Sequence, residues 1–205
     1  VHPSGGDMND TEISFDNEMK SPGMARFVGR ALAGTVLQVY DKVYYRDVDS
    51  IRFVNKLLNV PSNKPAPAEL PEAHRINDLH NAGKDSELPY EGMMLTTMVA
   101  DAARKVRLEH CPETFPMTLA GISVGPVAFV GIPGEPFTGV GRGLKEASGW
   151  ELVCPMCDTN GAQGYFPMRE AYDEGGYEAR SSNFKAGVAE LLIAEGTKML
   201  DGLRG

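Results

Sequence analysis

The sequence predicts an α/β or α+β fold, in which helices flank a mixed β-sheet. Helical and strand patterns interleave along the chain, without the strict alternation of a doubly wound fold. A hairpin pattern over 117–132 overlaps a strand, helix, strand pattern over 127–154, which is long enough for a crossover between parallel strands. The 205 residues, 42% of them apolar, can bury one core, so we expect a single domain over 1–205.

The first quarter of the chain is expected to contain a loop, a helix and a strand. Residues 1–20 are polar and rich in Gly, Asp and Asn, which is typical of a loop segment. Ser21-Pro22 is a favourable helix start, and the apolar spacing over 28–39 predicts a helix that runs to about Asp41 and docks on a sheet. Residues 43–54 are rich in β-forming side chains and predict one bent strand or two short ones.

The middle of the chain is expected to be helical. Four prolines between Pro61 and Pro71 mark a connection between layers, because the flanking pieces are too small to fold separately. Helices are then predicted over 72–81 and over 90–110, and Cys111-Pro112 ends the second one.

The second half supplies most of the predicted sheet. Strands over 117–124 and 127–132 form the hairpin around a Gly-Pro turn. A helix over 137–147 and a strand over 151–154 complete the crossover, and apolar spacing over 188–203 predicts a closing helix.

Composition excludes several classes of partner. The net charge is −8 and no basic stripe is present, so we expect no nucleic-acid binding. The longest apolar stretches, such as 127–132, are much shorter than the 18 or so residues of a membrane span, and no leader pattern opens the chain. We therefore expect a soluble chain without a transmembrane segment.

Three cysteines are too few for a disulfide framework, which weakly favours a reducing, cytoplasmic compartment. Cys154 and Cys157 have the spacing of a zinc knuckle or redox pair, but no second such pair or His pair matches them. We expect both to be reduced and metal-free, as small side chains at the end of a buried strand.

Three segments of the second half carry candidate site residues. Glu135 follows a β-branched strand and a Pro-Gly turn, so its carboxylate either serves as a ligand or acid, or complements the dipole of the next helix. Asn160 and Tyr165 belong to a Gly-rich loop that either faces an oxyanion or simply reverses the chain. Tyr177 follows two glycines and, on its own, is typical of a half-buried tyrosine.

These segments occur in the order of one known family. The sequences Pro133-Gly134-Glu135, 159–167 and Gly175-Gly176-Tyr177-Glu178 resemble the second half of the catalytic domain of the neutral/alkaline ceramidases, which are zinc-dependent amidases. The resemblance implies that Glu135 and Tyr177 are zinc ligands, alongside two histidines from further upstream. It assigns no role to the cysteine pair.

The start of the chain can be aligned with the family in two ways, which we call two registers. In one, Val1-His2-Pro3 resembles the segment that carries the second zinc histidine, which makes His2 a candidate ligand. In the other, residues 5–10 resemble the loop that carries the active-site serine, with Asn9 at the serine position and Asp10 at the proline position. We prefer the second register, in which both zinc histidines lie upstream of Val1 and a serine-dependent mechanism is in doubt.

The resemblance implies a zinc-dependent amidohydrolase that uses a metal-activated water. Its substrate would be an N-acyl sphingoid base or a smaller N-acyl amide. His74 and His80 are six residues apart on one predicted helix and point to different sides, so they do not chelate one ion together. A missing N-terminal half or a second chain would therefore supply histidines. The alternative is a non-catalytic binding or assembly subunit that retains the fold without an active metal site.

Overall fold

A computed structural model describes residues 21–204, which fall into two compact units, 21–49 and 50–204. The first unit contains helix α1 (Pro22–Tyr40), which buries none of its residues. Ser21 caps this helix, because its hydroxyl accepts a hydrogen bond from the backbone N–H of Met24 at 3.2 Å. The predicted helix is confirmed. Its docking on a sheet and the single-domain organisation stay predictions.

The second unit is built on a four-stranded mixed sheet, which confirms the predicted fold class. Its strands are β1 (Ile51–Pro61), β2 (Thr114–Val124), β3 (Val127–Gly131) and β5 (Leu152–Met156). The two-residue strand β4 (Glu135–Pro136) lies between β3 and β5 in the chain and is not part of this sheet. The order across the sheet is β1-β2-β3-β5. The first two pairs are antiparallel and β3 pairs with β5 in parallel, so the predicted hairpin and crossover are both present.

The first strand lies later in the chain than predicted. Residues 43–50 have no regular structure, and β1 continues to Pro61 instead of ending near Val54. The reason is its partner: all eleven residues of β1 pair with β2, from Ile51 opposite Val124 to Pro61 opposite Thr114. This long-range pairing sets the bounds of the strand, and local β-propensity does not.

Six helices complete the second unit. The structure has α2 (Leu70–Asn81), α3 (Gly92–Leu108), α4 (Thr138–Ala147), α5 (Arg169–Glu174), α6 (Tyr177–Ser181) and α7 (Val188–Gly202). Four of them match the predicted helices to within about two residues at each end, as is usual for helix ends. The short helices α5 and α6 were not predicted. Of the helices in residues 21–204, none has the length and apolar character needed to cross a bilayer.

One face of the sheet forms the core. Leu119 and Val130 of the sheet are fully buried in one cluster with Val140 of α4 and with Leu192 and Leu200 of α7. Helices α2 and α3 pack against each other around a second, smaller cluster. The opposite face of the sheet is apolar and exposed at Ile51, Phe53, Leu57 and Leu152.

Candidate functional site

The candidate site lies where β3 and β5 end. Because these strands are parallel, their carboxyl ends meet at one edge of the sheet. The chain leaves β3 through the turn 132–136 and leaves β5 through the loop 157–164, so the two segments lie side by side. The second segment leads into the two-residue strand β6 (Tyr165–Phe166), which pairs in parallel with β4.

A row of backbone hydrogen bonds holds the turn against the loop. The N–H of Asp158 donates to Gly134, and the N–H groups of Gln163 and Glu135 donate to Pro133 and Gly164, each at 2.9 Å. Gly134 is buried, and a Cβ built on it would lie 2.5 Å from the carbonyl oxygen of Gly164. Only glycine therefore fits at this position without displacing a backbone segment.

This frame brings three of the predicted site residues together. Glu135 and Tyr165 are direct partners in the parallel pair of β4 and β6, so their side chains leave the pair on the same side. The ring of Tyr165 also packs edge-on against the ring of Tyr177, with centroids 6.2 Å apart. Tyr165 therefore neighbours Glu135 in the strand pair and Tyr177 through its ring.

The Tyr165 phenol lies in an environment that disfavours its ionisation. Burial raises its pKa above the ordinary value, and the negative charges of Glu135, Glu178 and Asp158 and the phenol of Tyr177 raise it further. The hydroxyl of Tyr165 therefore stays protonated at neutral pH and remains a hydrogen-bond donor.

Two glycines place Tyr177 at the start of α6. Gly175 ends α5 with a positive φ of 72°, a conformation that suits glycine, and Gly176 caps α6. Arg180, one turn after Tyr177, donates from Nε to the carbonyl oxygen of Gly175 at 2.7 Å. A charge-assisted hydrogen bond thus joins the two ends of the segment 175–180, which carries Tyr177.

A buried ion-pair network ties α6 to the rest of the unit. Arg104 on α3 is 5% exposed and donates to the carbonyl oxygens of Arg180 at 2.8 Å and Asn63 at 2.6 Å. Its guanidinium also pairs with the buried carboxylate of Asp101 at 3.0 Å, and Lys105 pairs with the same carboxylate at 2.7 Å. These groups do not reach the candidate site, but they fix the helix that presents Tyr177.

A second series of hydrogen bonds holds the backbone of Tyr165 in place. The Tyr172 hydroxyl donates to the carbonyl oxygen of Phe184 at 2.7 Å and lies 3.2 Å from the Ser182 hydroxyl. Ser182, which is buried, donates to the carbonyl oxygen of Tyr165 at 2.9 Å. Burial raises the pKa of Tyr172 to about 12, so this hydroxyl also stays protonated.

The other predicted site residues are placed differently. Asn160 is exposed on the loop 157–164 with a φ of 62°, a left-handed conformation that asparagine tolerates in turns. Its catalytic role stays a prediction. His2 and Asn9 lie outside the described residues.

The described histidines do not contribute to this site. His74 and His80 bond to separate carboxylates, those of Glu109 at 3.0 Å and Asp85 at 2.8 Å, and His110 is 89% exposed. Within residues 21–204 no group of three His, Cys, Asp or Glu side chains is arranged to hold a metal. No disulfide joins the cysteines in this part of the chain, and the absence of metal at Cys154 and Cys157 stays a prediction.

The side chains of Glu135 and Tyr177 are of a chemical type that fits the zinc site implied by the resemblance, and they would make two of its ligands. Glu135 offers a carboxylate and Tyr177 a phenol, and carboxylate oxygens are ordinary zinc ligands. Zinc usually takes four ligands, so two protein oxygens leave it short of two. Histidine nitrogens from outside the described residues would complete such a set.

Several contributors were not singled out from the sequence. Asp158 and Glu178 add negative charge near Tyr165, and Arg104 and Asp101 hold α6 in place. The sequence does indicate that Asp101 and Arg104 act together. They lie three residues apart on the face of α3 that also carries the buried Leu108. Charged residues at buried helix positions are normally paired.

Comparisons with known proteins support the fold. No family model matches the chain, and no curated protein matches it. Of the solved structures, neutral ceramidase from Pseudomonas aeruginosa is similar with 17% sequence identity and a TM-score of 0.56. The similarity covers 96% of this chain and 35% of that chain. A structure described as a ceramidase complexed with C2 overlaps 45% of this chain and 15% of its own, with 23% identity and a TM-score of 0.39.

The chain thus spans about a third of the length of the Pseudomonas enzyme, 35% by coverage. The ceramidase resemblance of the sequence is confirmed at the level of the fold. The described residues, 21–204, have an α/β fold that is similar to that of one part of neutral ceramidase.

Proposed function

We propose that this chain provides part of the active site of a zinc-dependent amidohydrolase of the neutral ceramidase type. One observation carries the proposal: Tyr165 pairs with Glu135 across β4 and β6, and its ring contacts the ring of Tyr177, at the carboxyl edge of the sheet. A carboxylate and two phenols are thus gathered on a rigid frame, in a fold similar to that of neutral ceramidase. Glu135 and Tyr177 would hold the metal.

Each residue has a separate task in amide hydrolysis. Bound zinc would supply Lewis acidity, which polarises an amide carbonyl and lowers the pKa of water. The backbone position of Glu135 is fixed, because the backbone on both sides of it is hydrogen-bonded. Tyr165 stays protonated and donates a hydrogen bond where negative charge develops on the amide oxygen. Asn160 and the backbone of its loop are candidates for further donors.

The rest of the site would come from elsewhere. Two histidines are needed, and the sources are a missing N-terminal half, a second chain or, in one sequence register, His2. Two facts support a larger assembly. The chain corresponds to 35% of the Pseudomonas enzyme, and one face of its sheet exposes Ile51, Phe53, Leu57 and Leu152. Exposed apolar patches of this kind mark interaction surfaces.

The proposed substrate is an N-acyl amide, either an N-acyl sphingoid base or a smaller compound. The test is hydrolysis of N-acyl sphingosine and of a short N-acyl amide. The chain is assayed alone and with the polypeptide proposed to supply the histidines, and zinc affinity is measured in competition with a chromophoric chelator. We expect weak zinc binding and no turnover from the chain alone, and both to appear in the mixture.

Matched variants separate the site from general damage to the fold. Glu135→Gln and Tyr177→Phe should abolish turnover, whereas Glu146→Gln and Tyr45→Phe, which change exposed side chains, should retain it. Turnover that survives Glu135→Gln would refute the proposed site. Absence of zinc binding and turnover in every mixture would favour a non-catalytic binding or assembly subunit.

A further inference from the structure

A cavity of about 490 Å³ is lined by the end of α3, the start of β2 and two later segments of the chain. This volume is in the range of small-molecule sites. None of Glu135, Tyr165 and Tyr177 lines the cavity. It is therefore separate from the residues of the candidate site, and the proposed reaction gives it no task.

Most of the cavity wall is apolar. Leu108 and Phe184 are buried in it, whereas Phe115 and Pro116 keep part of their surface accessible. The rings of Phe115 and Phe184 meet edge-on, with centroids 6.1 Å apart. A ring of a ligand can join such a pair in the same edge-to-face or in an offset arrangement. The wall is therefore suited to an apolar body of about the size of one ring.

One cation stands beside this apolar wall. Among the described residues that line the cavity, Arg107 is the one that carries a charge, and none is acidic. Nη2 of Arg107 donates to Oδ1 of Asn183 at 2.6 Å, which orients the guanidinium and uses one of its five N–H donors. Within residues 21–204 no carboxylate forms an ion pair with Arg107. Because Arg107 is exposed, a ligand can reach its remaining donors.

The charge of the cavity is opposite to that of the chain. The sequence has 28 acidic and 20 basic residues, so the chain as a whole repels anions, and attraction of an anion is local to Arg107. A carboxylate matches the planar fork of a guanidinium, which keeps its proton at any physiological pH. A dianionic phosphate would bring a second charge next to an apolar wall that offers no second cation, and burying such a charge is costly. A monocarboxylate is therefore the anion that fits.

We propose that this cavity binds a small carboxylate with an apolar, ring-sized body, of which an arylacetate is an example. The carboxylate would accept hydrogen bonds from the guanidinium of Arg107, and the ring would lie against Phe115 and Phe184. This binding site goes beyond the proposed function. It requires neither zinc nor histidines, and it holds whether or not the chain takes part in amide hydrolysis.

Arg107 has a second role that needs no ligand. It lies in the last turn of α3, where a cation complements the negative end of the helix dipole. That role affects the stability of the helix and gives no preference between a carboxylate and a neutral ligand. The test therefore compares ligands of equal shape and different charge on the 205-residue chain without zinc.

Binding is measured for phenylacetate, for its neutral isostere phenylacetamide and for acetate, by ligand-observed NMR titration. We expect phenylacetate to bind about tenfold more tightly than phenylacetamide, because a hydrogen bond between two charged groups is stronger than one to a neutral acceptor. Acetate should bind more weakly than phenylacetate, because it lacks the apolar body. Equal affinity for phenylacetate and phenylacetamide would overturn the role of the carboxylate, and equal affinity for phenylacetate and acetate would overturn that of the apolar wall.

Cys111, which lines the cavity, reports where the carboxylate binds. The rate of alkylation by iodoacetate is divided by the rate with neutral iodoacetamide, and Cys154, which does not line the cavity, is the internal reference. We expect a larger ratio at Cys111 than at Cys154, because Arg107 attracts the anionic reagent. Phenylacetate should slow the alkylation of Cys111 and leave that of Cys154 unchanged. Equal ratios at the two cysteines, or no protection of Cys111, would overturn the proposed location.

Variants assign the effect to one guanidinium. Arg107→Met should weaken phenylacetate binding about tenfold and lower the alkylation ratio of Cys111, whereas Arg107→Lys, which keeps the charge, should retain part of both effects. Arg142→Met removes an exposed cation of α4 that does not line the cavity, and should behave as the parent chain does. Unchanged binding in Arg107→Met, or an equal loss in Arg142→Met, would overturn the proposal.

Discussion

Removal of the Arg104 guanidinium should loosen the helix that presents Tyr177. Arg104 is 5% exposed and makes three hydrogen bonds, two of them to carbonyl oxygens that have to be satisfied when buried. Breaking a buried ion pair by removing one partner costs about 3–5 kcal/mol. Lys105 still pairs with Asp101 at 2.7 Å in the Arg104→Met variant, so we expect the lower end, about 3 kcal/mol.

Urea unfolding measures this loss directly. With a slope of about 2 kcal/mol/M, the midpoint of Arg104→Met should fall by about 1.5 M relative to the parent chain. Amides of α6 should also exchange faster with solvent, since the carbonyl oxygen of Arg180 loses its donor. The control is Arg75→Met, which removes an exposed pair with Glu72 and should leave the midpoint unchanged. Equal midpoints for Arg104→Met and the parent would refute the role of the network.

Three further predictions concern the frame of the site. Because the pKa of Tyr172 is raised to about 12, the folded state binds its proton more tightly than the unfolded state does. The stability of the chain should therefore be intact below pH 10 and fall by about 3 kcal/mol as the pH rises from about 10 to 12. Tyr172→Phe should remove this component of the pH dependence, as measured by urea unfolding, and an unchanged profile would contradict it. Gly134→Ala should destabilise the chain by about 1–3 kcal/mol, because the new methyl group meets the carbonyl oxygen of Gly164 and the ring of Phe166. Gly29→Ala on α1 should stabilise that helix by about 0.5–1 kcal/mol, because the new methyl group would meet no atom of residues 21–204 within 4 Å, and similar thermal shifts for both variants would count against the tight turn. Burial raises the pKa of the Cys157 thiol, and the charges of Asp158 and Glu135 raise it further. Maleimide at neutral pH should therefore label Cys111 before Cys157, and mass spectrometry showing the reverse order would be inconsistent with this environment.

The long elements were predictable because local periodicity and turn residues determine them. Helix α1 begins at Pro22 after a serine cap, and the Gly125-Pro126 turn joins β2 to β3, as predicted. The strand after α1 was misplaced because its position depends on pairing with β2, whose residues lie about sixty positions away. The pattern of residues within 43–61 does not indicate with which strand, or in which register, this segment pairs.

The residues of the candidate site were singled out only through the family resemblance. Glu135 and Tyr165 lie in strands of two residues, and Tyr177 opens a helix of five, all too short for a periodic signal. Their proximity follows from the parallel pairing of β3 with β5, which brings two loops to the same edge. A cavity of about 490 Å³ was likewise not visible in the sequence, because segments far apart in the chain line it, among them α3, β2 and the loop that carries Gln163.

The central claim is that Tyr177 holds the metal, and the ultraviolet difference spectrum of tyrosinate tests it most directly. Zinc is titrated at neutral pH into the chain, alone and with the polypeptide proposed to supply the histidines. A free phenol has a pKa of about 10, so a tyrosinate band at neutral pH indicates ligation to the metal. We expect the band in the mixture, its loss in Tyr177→Phe, and its retention in Tyr45→Phe. A band that survives Tyr177→Phe, or tight zinc binding without one, would contradict the account. Tight stoichiometric zinc and turnover from the 205 residues alone would show that His2 and another histidine of this chain complete the site.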